Sequence, residues 1–233
     1  MLPNTAHFMT PHTEAPPLDF RWLGRVGYRE GLALQQDMAR QVLEGSAPDT
    51  VLLLEHEPVY TIGRTPDKSS LAPQGAENAR VLPHPVVEIS RGGQATYHGP
   101  GQLVGYPVLA LTHYGRDLHR YLRALEEGLI LLCASLGLDT GRREGMTGVW
   151  CGPRKLASIG VGVRQWISQH GFAINITEES LAGFQSITPC GLGGVEMTCL
   201  VRETGRPLSV EESAQLVRGP LADALESLRL GKS

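Results

Sequence analysis

Three features of this chain have the residue types and spacing for nucleophilic or proton-transfer chemistry: a cysteine on a bend, a lysine inside a strand, and a glycine-rich loop studded with polar side chains. Cys190 follows Pro189 and precedes Gly191, with Gly193 and Gly194 close behind. A thiol so placed sits on a rigid bend among accessible backbone N–H groups, which suits a nucleophile that must also hold the oxyanion it creates. A free cysteine is equally a small core hydrophobe, and the local sequence leaves the two readings of Cys190 level; Cys133, on an apolar helical stripe, takes the core reading. Alternation over residues 155–163 puts Lys155 on one face with Ala157, Ile159, Val161 and Val163, and Ser158, Gly160 and Gly162 on the other. An ammonium in register with an apolar row is partly desolvated, which favours its neutral form and fits it for proton transfer. The alternative is a strand-edge lysine that reaches back to water.

The loop is residues 91–107, RGGQATYHGPGQLVGYP, with five glycines and two prolines. Glycines alone would mark a turn. Arg91, Gln94, Thr96, Tyr97 and His98 among them favour a wall that approaches a ligand closely and holds it with polar groups. Ser158, Gly160 and Gly162, with Gly171 and Ala173 on the next strand, would leave a shallow trough fit for a linear apolar chain, or else a site of close packing.

The elements that must position these residues follow from periodicity and punctuation. Residues 1–17 are rich in Pro, Thr and His and read as a mobile leader. A helix is expected over 28–44 and a buried strand over 51–54, followed by a long polar, Pro-containing loop to about residue 85. Strands over 86–89 and 103–111 flank the glycine-rich loop. Asp117 caps a helix running to Leu136, and Gly137 stops it. A hairpin over 148–151 and 155–163, a strand over 167–176 and a final helix from Ser209, with Glu212 completing a capping box, close the chain. With no internal repeat or linker, residues 18–233 read as a single α/β domain.

With 233 residues, 41% hydrophobic and 19% charged, and a net charge of -3, the chain reads as a soluble globular protein with no basic excess for nucleic acid. No apolar run is long enough for a bilayer, and no secretory signal precedes the domain, so a cytoplasmic location is expected. Cys133, Cys151, Cys190 and Cys199 show neither CxxC pairing nor metal-type spacing, which excludes a zinc site and a disulfide framework from the reading.

Four blocks in order, RGGQATYHGPGQ at 91–102, KLASIGVGV at 155–163, HGFAINI at 170–176 and TPCGLGGVEMT at 188–198, resemble the octanoyltransferases of lipoate biosynthesis; HEPVYTIGR at 56–64 resembles that family's N-terminal block. The resemblance implies a mixed β-sheet flanked by helices, like the catalytic domain of biotin and lipoate protein ligases. It implies Cys190 as the acyl-thioester nucleophile and Lys155 as the group that lowers the thiol's pKa and exchanges protons. It implies substrate-binding segments at Arg91, Gly92, Gly93, Gln94, Ala95, Thr96, Tyr97 and His98, at Ser158, Ile159 and Gly160, and at Gly171, Phe172 and Ala173. The implied donor is octanoyl-acyl carrier protein. The implied acceptors are lysines of the lipoyl domains of 2-oxoacid dehydrogenases and of the glycine cleavage H protein. Thioester exchange is nearly balanced and thioester to amide runs downhill, so no cofactor, ATP or metal is implied. Both partners would be acidic, and Arg116, Arg120 and Arg123, at i, i+4 and i+7, offer a steering face or merely a solvated one. An ATP-dependent lipoate or biotin ligase is the competing enzyme, a non-catalytic carrier-binding protein the competing binder. A cysteine peptidase would need a His/Asn context that Cys190 lacks.

Overall fold

A computed structural model describes residues 18–64, 69–71, 82–188 and 194–231. There the chain runs β1 (Asp19–Val26), α1 (Tyr28–Leu43), β2 (Thr50–His56), β3 (Val59–Ile62), β4 (Val86–Glu88), β5 (Thr96–His98), β6 (Gln102–Val108), α2 (Leu118–Ser135), β7 (Gly141–Arg143), β8 (Met146–Cys151), β9 (Arg154–Arg164), β10 (Ile167–Asn175), α3 (Leu200–Thr204), α4 (Val210–Leu216) and α5 (Arg218–Arg229). Single 3-10 turns stand at Ser69–Leu71 and Leu111–Tyr114, and a longer 3-10 stretch at Glu178–Ser186.

Seven strands form one sheet in the order β1-β2-β6-β10-β9-β8-β7. β1 is parallel to β2 and every other neighbouring pair is antiparallel, so the α/β class with a mixed sheet stands. β2 is buried at every position, which a strand with one wet face could not be. Leu52 and Leu54 point towards Met38, Ala39 and Val42 of α1. Val51 and Leu53, one step out of phase, join the larger core with Leu125, Leu129 and Leu132 of α2 and Leu221, Leu225 and Leu228 of α5. The sheet is therefore a middle layer, with α1 on one face and α2, α4 and α5 on the other.

The caps fall where the side chains demand. The Asp117 carboxylate accepts from the His119 and Arg120 N–H groups at the head of α2, and Ser209 and Glu212 form the reciprocal capping box. The expected single terminal helix breaks at Val217 into α4 and α5. Pro220 has no N–H to offer the Leu216 carbonyl, so the ladder cannot run through.

Four strands depart from the sequence reading. β1 and β7 edge the large sheet at its two ends, in stretches given no element. β3 and β5, within stretches read as loop, pair with each other and build a second sheet in the order β4-β3-β5, with β3 in the middle, parallel to β4 and antiparallel to β5. This small sheet closes over its own core of Tyr60, Ala95, Tyr97, Phe184, Ile187 and Met197. The strand expected over 103–111 ends at Val108, where the chain turns into the 3-10 helix at Leu111–Tyr114.

Candidate active site

Between the small sheet and the hairpin of β9 and β10 lies a slot of about 60 Å3, room for roughly four to six water molecules. Its loop wall is Arg91, Gly92, Gly93, Gln94, Thr96 and His98. Ser158, Ile159 and Gly160 line it from β9, and Gly171, Phe172 and Ala173 from β10. Three segments nominated from sequence thus meet at one cavity. Ala95 and Tyr97 are the exceptions. Both are buried in the small core, where Tyr97 packs edge-on against Phe184, because alternation along β5 sends them away from the slot when Thr96 and His98 face it.

Arg91 gives the loop its shape. Its buried guanidinium donates to the Thr61 carbonyl and hydroxyl at 3.2 and 2.9 Å and to the Gln94 carbonyl at 3.0 Å, tying the loop to β3. A Cβ on Gly63 would lie 2.2 Å from the Gly93 carbonyl oxygen, so only glycine lets the two backbones come this close. The loop also leans on β9: Gly92 N–H donates to the Val161 carbonyl at 3.1 Å, and the Ser90 carbonyl covers Gly162. The small-residue face is therefore half roofed by loop backbone, and the slot is the part left uncovered. Both sequence alternatives, trough and close packing, hold along different lengths of one strand.

The floor was not nominated from sequence. Tyr28 opens α1, Val104 and Tyr106 come from β6, and His170 from β10. His56 at the end of β2 supports them, with Nε2 2.7 Å from the Tyr106 hydroxyl and Nδ1 3.0 Å from the Val26 carbonyl. The available signal was a Glu-His pair closing the buried apolar run Val51 to Leu54, since polar groups there must find partners. Burial pushes His56 down to about 4 and His170 to about 4. Burial pushes His98 to about 3, with neighbouring His56 adding to the effect. All three rings are neutral near neutral pH. Gln102 Nε2 donates to Asn175 Oδ1 at 2.9 Å, which leaves its Oε1 to accept from His98 Nδ1 at 2.8 Å. His98 Nε2 is then the acceptor. Asn175 continues the chain to the Thr198 carbonyl at 2.9 Å.

Lys155 is buried, at 2% exposure, but not in the face that alternation assigns to it. Val149 pairs with Ala157 and Trp150 with Lys155, so β9 carries one extra residue, Leu156. Leu156 and Ala157 both join the large core, and this bulge rotates Lys155 out of the apolar row. Its Nζ lies 5.4 Å from the Trp150 ring centroid and its stem passes over Gly148, where a Cβ would meet Cε at 2.8 Å. Lys155 does not line the slot; it stands three residues along β9 from Ser158, which does. Its N–H donates to the Glu196 carbonyl at 2.8 Å and its carbonyl accepts from Thr198 N–H at 3.0 Å. Cys190 falls in residues 189–193, outside the described residues. On its near side Thr188 N–H donates to the Ser70 carbonyl at 2.9 Å, and the Ser70 hydroxyl accepts from Ala95 N–H. Burial raises the thiols of Cys133, to about 11, and of Cys151 and Cys199, none of which is thereby activated.

The expected arginine face does not form as a stripe. Arg116 precedes the cap with φ 52 and places its guanidinium 5.8 Å from the Trp166 ring centroid. Arg123 pairs with Glu126 at 2.6 Å; Arg120 and Arg123 line a groove between α2 and α5 together with Arg142. Among the described residues no three His, Cys, Asp or Glu gather as metal ligands, and no helix is long and apolar enough to cross a membrane.

Residues 27–221 match the family model of the lipoyl protein ligase A/B catalytic domain. An octanoyltransferase of Geobacter sulfurreducens is 52% identical over 200 residues, covering 86% of this chain and 81% of its own length. An octanoyltransferase of Mycolicibacterium gilvum is 42% identical, covering 90% of this chain and 86% of its own. Among solved structures, the bipartite lipoate protein ligase of Thermoplasma acidophilum superposes with a TM-score of 0.63 at 14% identity, covering 93% of this chain and 91% of that one. Biotin protein ligase from Aquifex aeolicus, with biotin and ATP, superposes with a TM-score of 0.53 at 12% identity, covering 91% of this chain and 72% of that one.

Proposed function

The chain belongs to the lipoyl protein ligase A/B catalytic-domain family, among its octanoyltransferases, and on that footing we propose that it moves an octanoyl group from acyl carrier protein through a thioester on Cys190 to a lysine of a lipoyl domain. Acyl transfer is its enzymatic class; donor, covalent intermediate and acceptor are the reading offered here. The observation that carries it is the slot itself. Three segments far apart in the chain converge on one narrow slot, with Gly92, Gly93, Ser158, Gly160, Gly171 and Ala173 bringing backbone to its walls and Ile159, Phe172 and Val104 supplying apolar surface, a lining that suits a linear alkyl chain.

In the first step the Cys190 thiolate attacks the thioester carbonyl, the pantetheine sulfur leaves with the proton of the Lys155 ammonium, and the acyl group rests on Cys190 beside a now neutral Lys155. An ordinary thiol of pKa ~8.5 is only about 3% ionised at pH 7, and a nearby ammonium that brings it to ~7 raises this to about half, a gain of about fifteen-fold. Lys155 fills that role. Most of the acceleration then comes from positioning and from N–H groups facing the tetrahedral oxyanion, typically ~10²-fold or more for one donor. In the second step the neutral acceptor amine attacks the acyl-cysteine and loses a proton to Lys155, and the amide forms as the Cys190 thiolate leaves, which restores the starting thiolate and ammonium. Arg91 to His98, Ser158 to Gly160 and Gly171 to Ala173 hold the alkyl chain, and residues 18–233 act as one catalytic domain.

Intact-protein mass spectrometry after mixing with octanoyl-acyl carrier protein tests the reading. An increment of one octanoyl group less a hydrogen is expected, labile to hydroxylamine and absent from Cys190→Ser. No adduct, or pyrophosphate release on addition of ATP and free acid, would overturn it in favour of a binder or a ligase. Lys155→Arg keeps the positive charge and is expected to form the adduct yet fail to make amide.

A further inference from the structure

His170 is held in a conformation that ordinary side chains avoid. It sits inside β10 with φ 57, between Gln169 and Gly171, both regularly paired to β9. Its N–H is turned to the Oε1 of Gln35 on α1, itself buried at 1% exposure. Its ring lies edge-on to Tyr106, centroids 6.3 Å apart. A left-handed residue in mid-strand is strained and persists only where its surroundings fix it, which makes the position a candidate for a functional constraint.

What the strain achieves is visible along β9. The face that bears Ser158 and Gly160 lines the slot and continues to Gly162 and Arg164, which line a second, wider cavity of about 670 Å3 with Gln169 and Ser90. The two cavities lie end to end on one sheet face. Where they meet, the place of a Cβ on Gly162 is 2.9 Å from the Ser90 carbonyl oxygen and 3.5 Å from His170 Cδ2. The imidazole and that carbonyl are the partition.

We propose that His170 is the end wall of the acyl slot, and that the left-handed turn clamped by Gln35 sets the longest straight acyl chain the protein accepts. The inference rests on the reading above that Ser158 to Gly160 and Gly171 to Ala173 hold the alkyl chain, with the further premise that it enters from the Ser158 end of β9, the end nearer Lys155 in the strand. Without the ring, a longer saturated chain passes over Gly162 into the wider cavity.

The test compares octanoyl and dodecanoyl thioesters of acyl carrier protein as donors to the wild-type protein and to His170→Gly, which keeps the positive φ without strain while deleting the ring. The wild type is expected to prefer octanoyl strongly. His170→Gly should raise the dodecanoyl-to-octanoyl rate ratio by at least about tenfold, the scale on which a pocket discriminates added methylenes. His170→Asn, which also tolerates the conformation, should fall between. An unchanged ratio in a variant with native circular dichroism would overturn the proposal. Should both variants unfold, the wild type decides alone across donors of increasing length: an abrupt fall past one length supports a wall, and a uniform decline per methylene overturns it. Failure of the wild type to transfer any acyl group would instead sink the underlying reading.

Discussion

The seven-stranded sheet and the small β4-β3-β5 sheet are built on opposite principles. The first is redundant: Val51, Leu53, Leu125, Leu129 and Leu225 are all at 1% exposure or less, and each covers its neighbours. The second holds a buried guanidinium, a glycine pressed against a carbonyl and, at the seam, three buried histidines. One region is stable because many apolar contacts agree. The other has its shape because a few polar groups have one way to be satisfied, which makes it precise and easy to disturb.

Acid should separate the two regions most strongly. His56, His98 and His170 lie well below the ordinary histidine value of 6.5. The unfolded chain therefore binds protons at a higher pH than the native one, and stability is lost as pH falls from about 6.5 towards 3–4, at up to ~1.4 kcal/mol per pH unit for each ring. Thermal melts between pH 7 and 4.5 should show this decline, and His56→Gln should flatten it; the same slope in that variant would place the proton uptake elsewhere.

Leu129→Ala, in the redundant region, is expected to cost about 2–5 kcal/mol by urea unfolding and to leave the catalytic rate of the remaining folded protein near wild type. Gly63→Ala should do the reverse: about 1–3 kcal/mol of stability, but about a hundredfold in activity, since the Arg91 loop must shift to admit a methyl. Equal ratios of stability loss to activity loss in the two variants would dissolve the contrast. The smallest effect is expected of Ser209→Ala, which removes the cap of α4 far from the slot: ~0.5–2 kcal/mol, with no change in rate.

Legibility in the sequence follows the same divide. The five inner strands of the large sheet, the Asp117 cap and the Ser209 capping box were readable because period and punctuation are local. β1 was not, because DFRWLGRV is half-exposed along its length and shows no clean alternation. β3 and β5 are three or four residues long and owe their pairing to contacts remote in sequence. Within the site, the three nominated segments do converge. Ala95 and Tyr97 left the slot by a parity the loop concealed, and the Leu156 bulge moved Lys155 to a face no count of alternation reveals. His170 could not have been foreseen, since the strain that marks it exists only once Gln35 is packed beside it.

The backbone of Lys155 bonds on both sides to the segment carrying Glu196, Met197 and Thr198. These two stretches travel as one body: if the hairpin of β9 shifts, the return path of the chain just beyond residue 193 shifts with it. Cutting the polypeptide between 189 and 193 would thus leave the downstream end moored to its strand and the upstream end held separately, through Thr188 and the Ser70 carbonyl. A nicked protein should keep its melting profile and lose its chemistry.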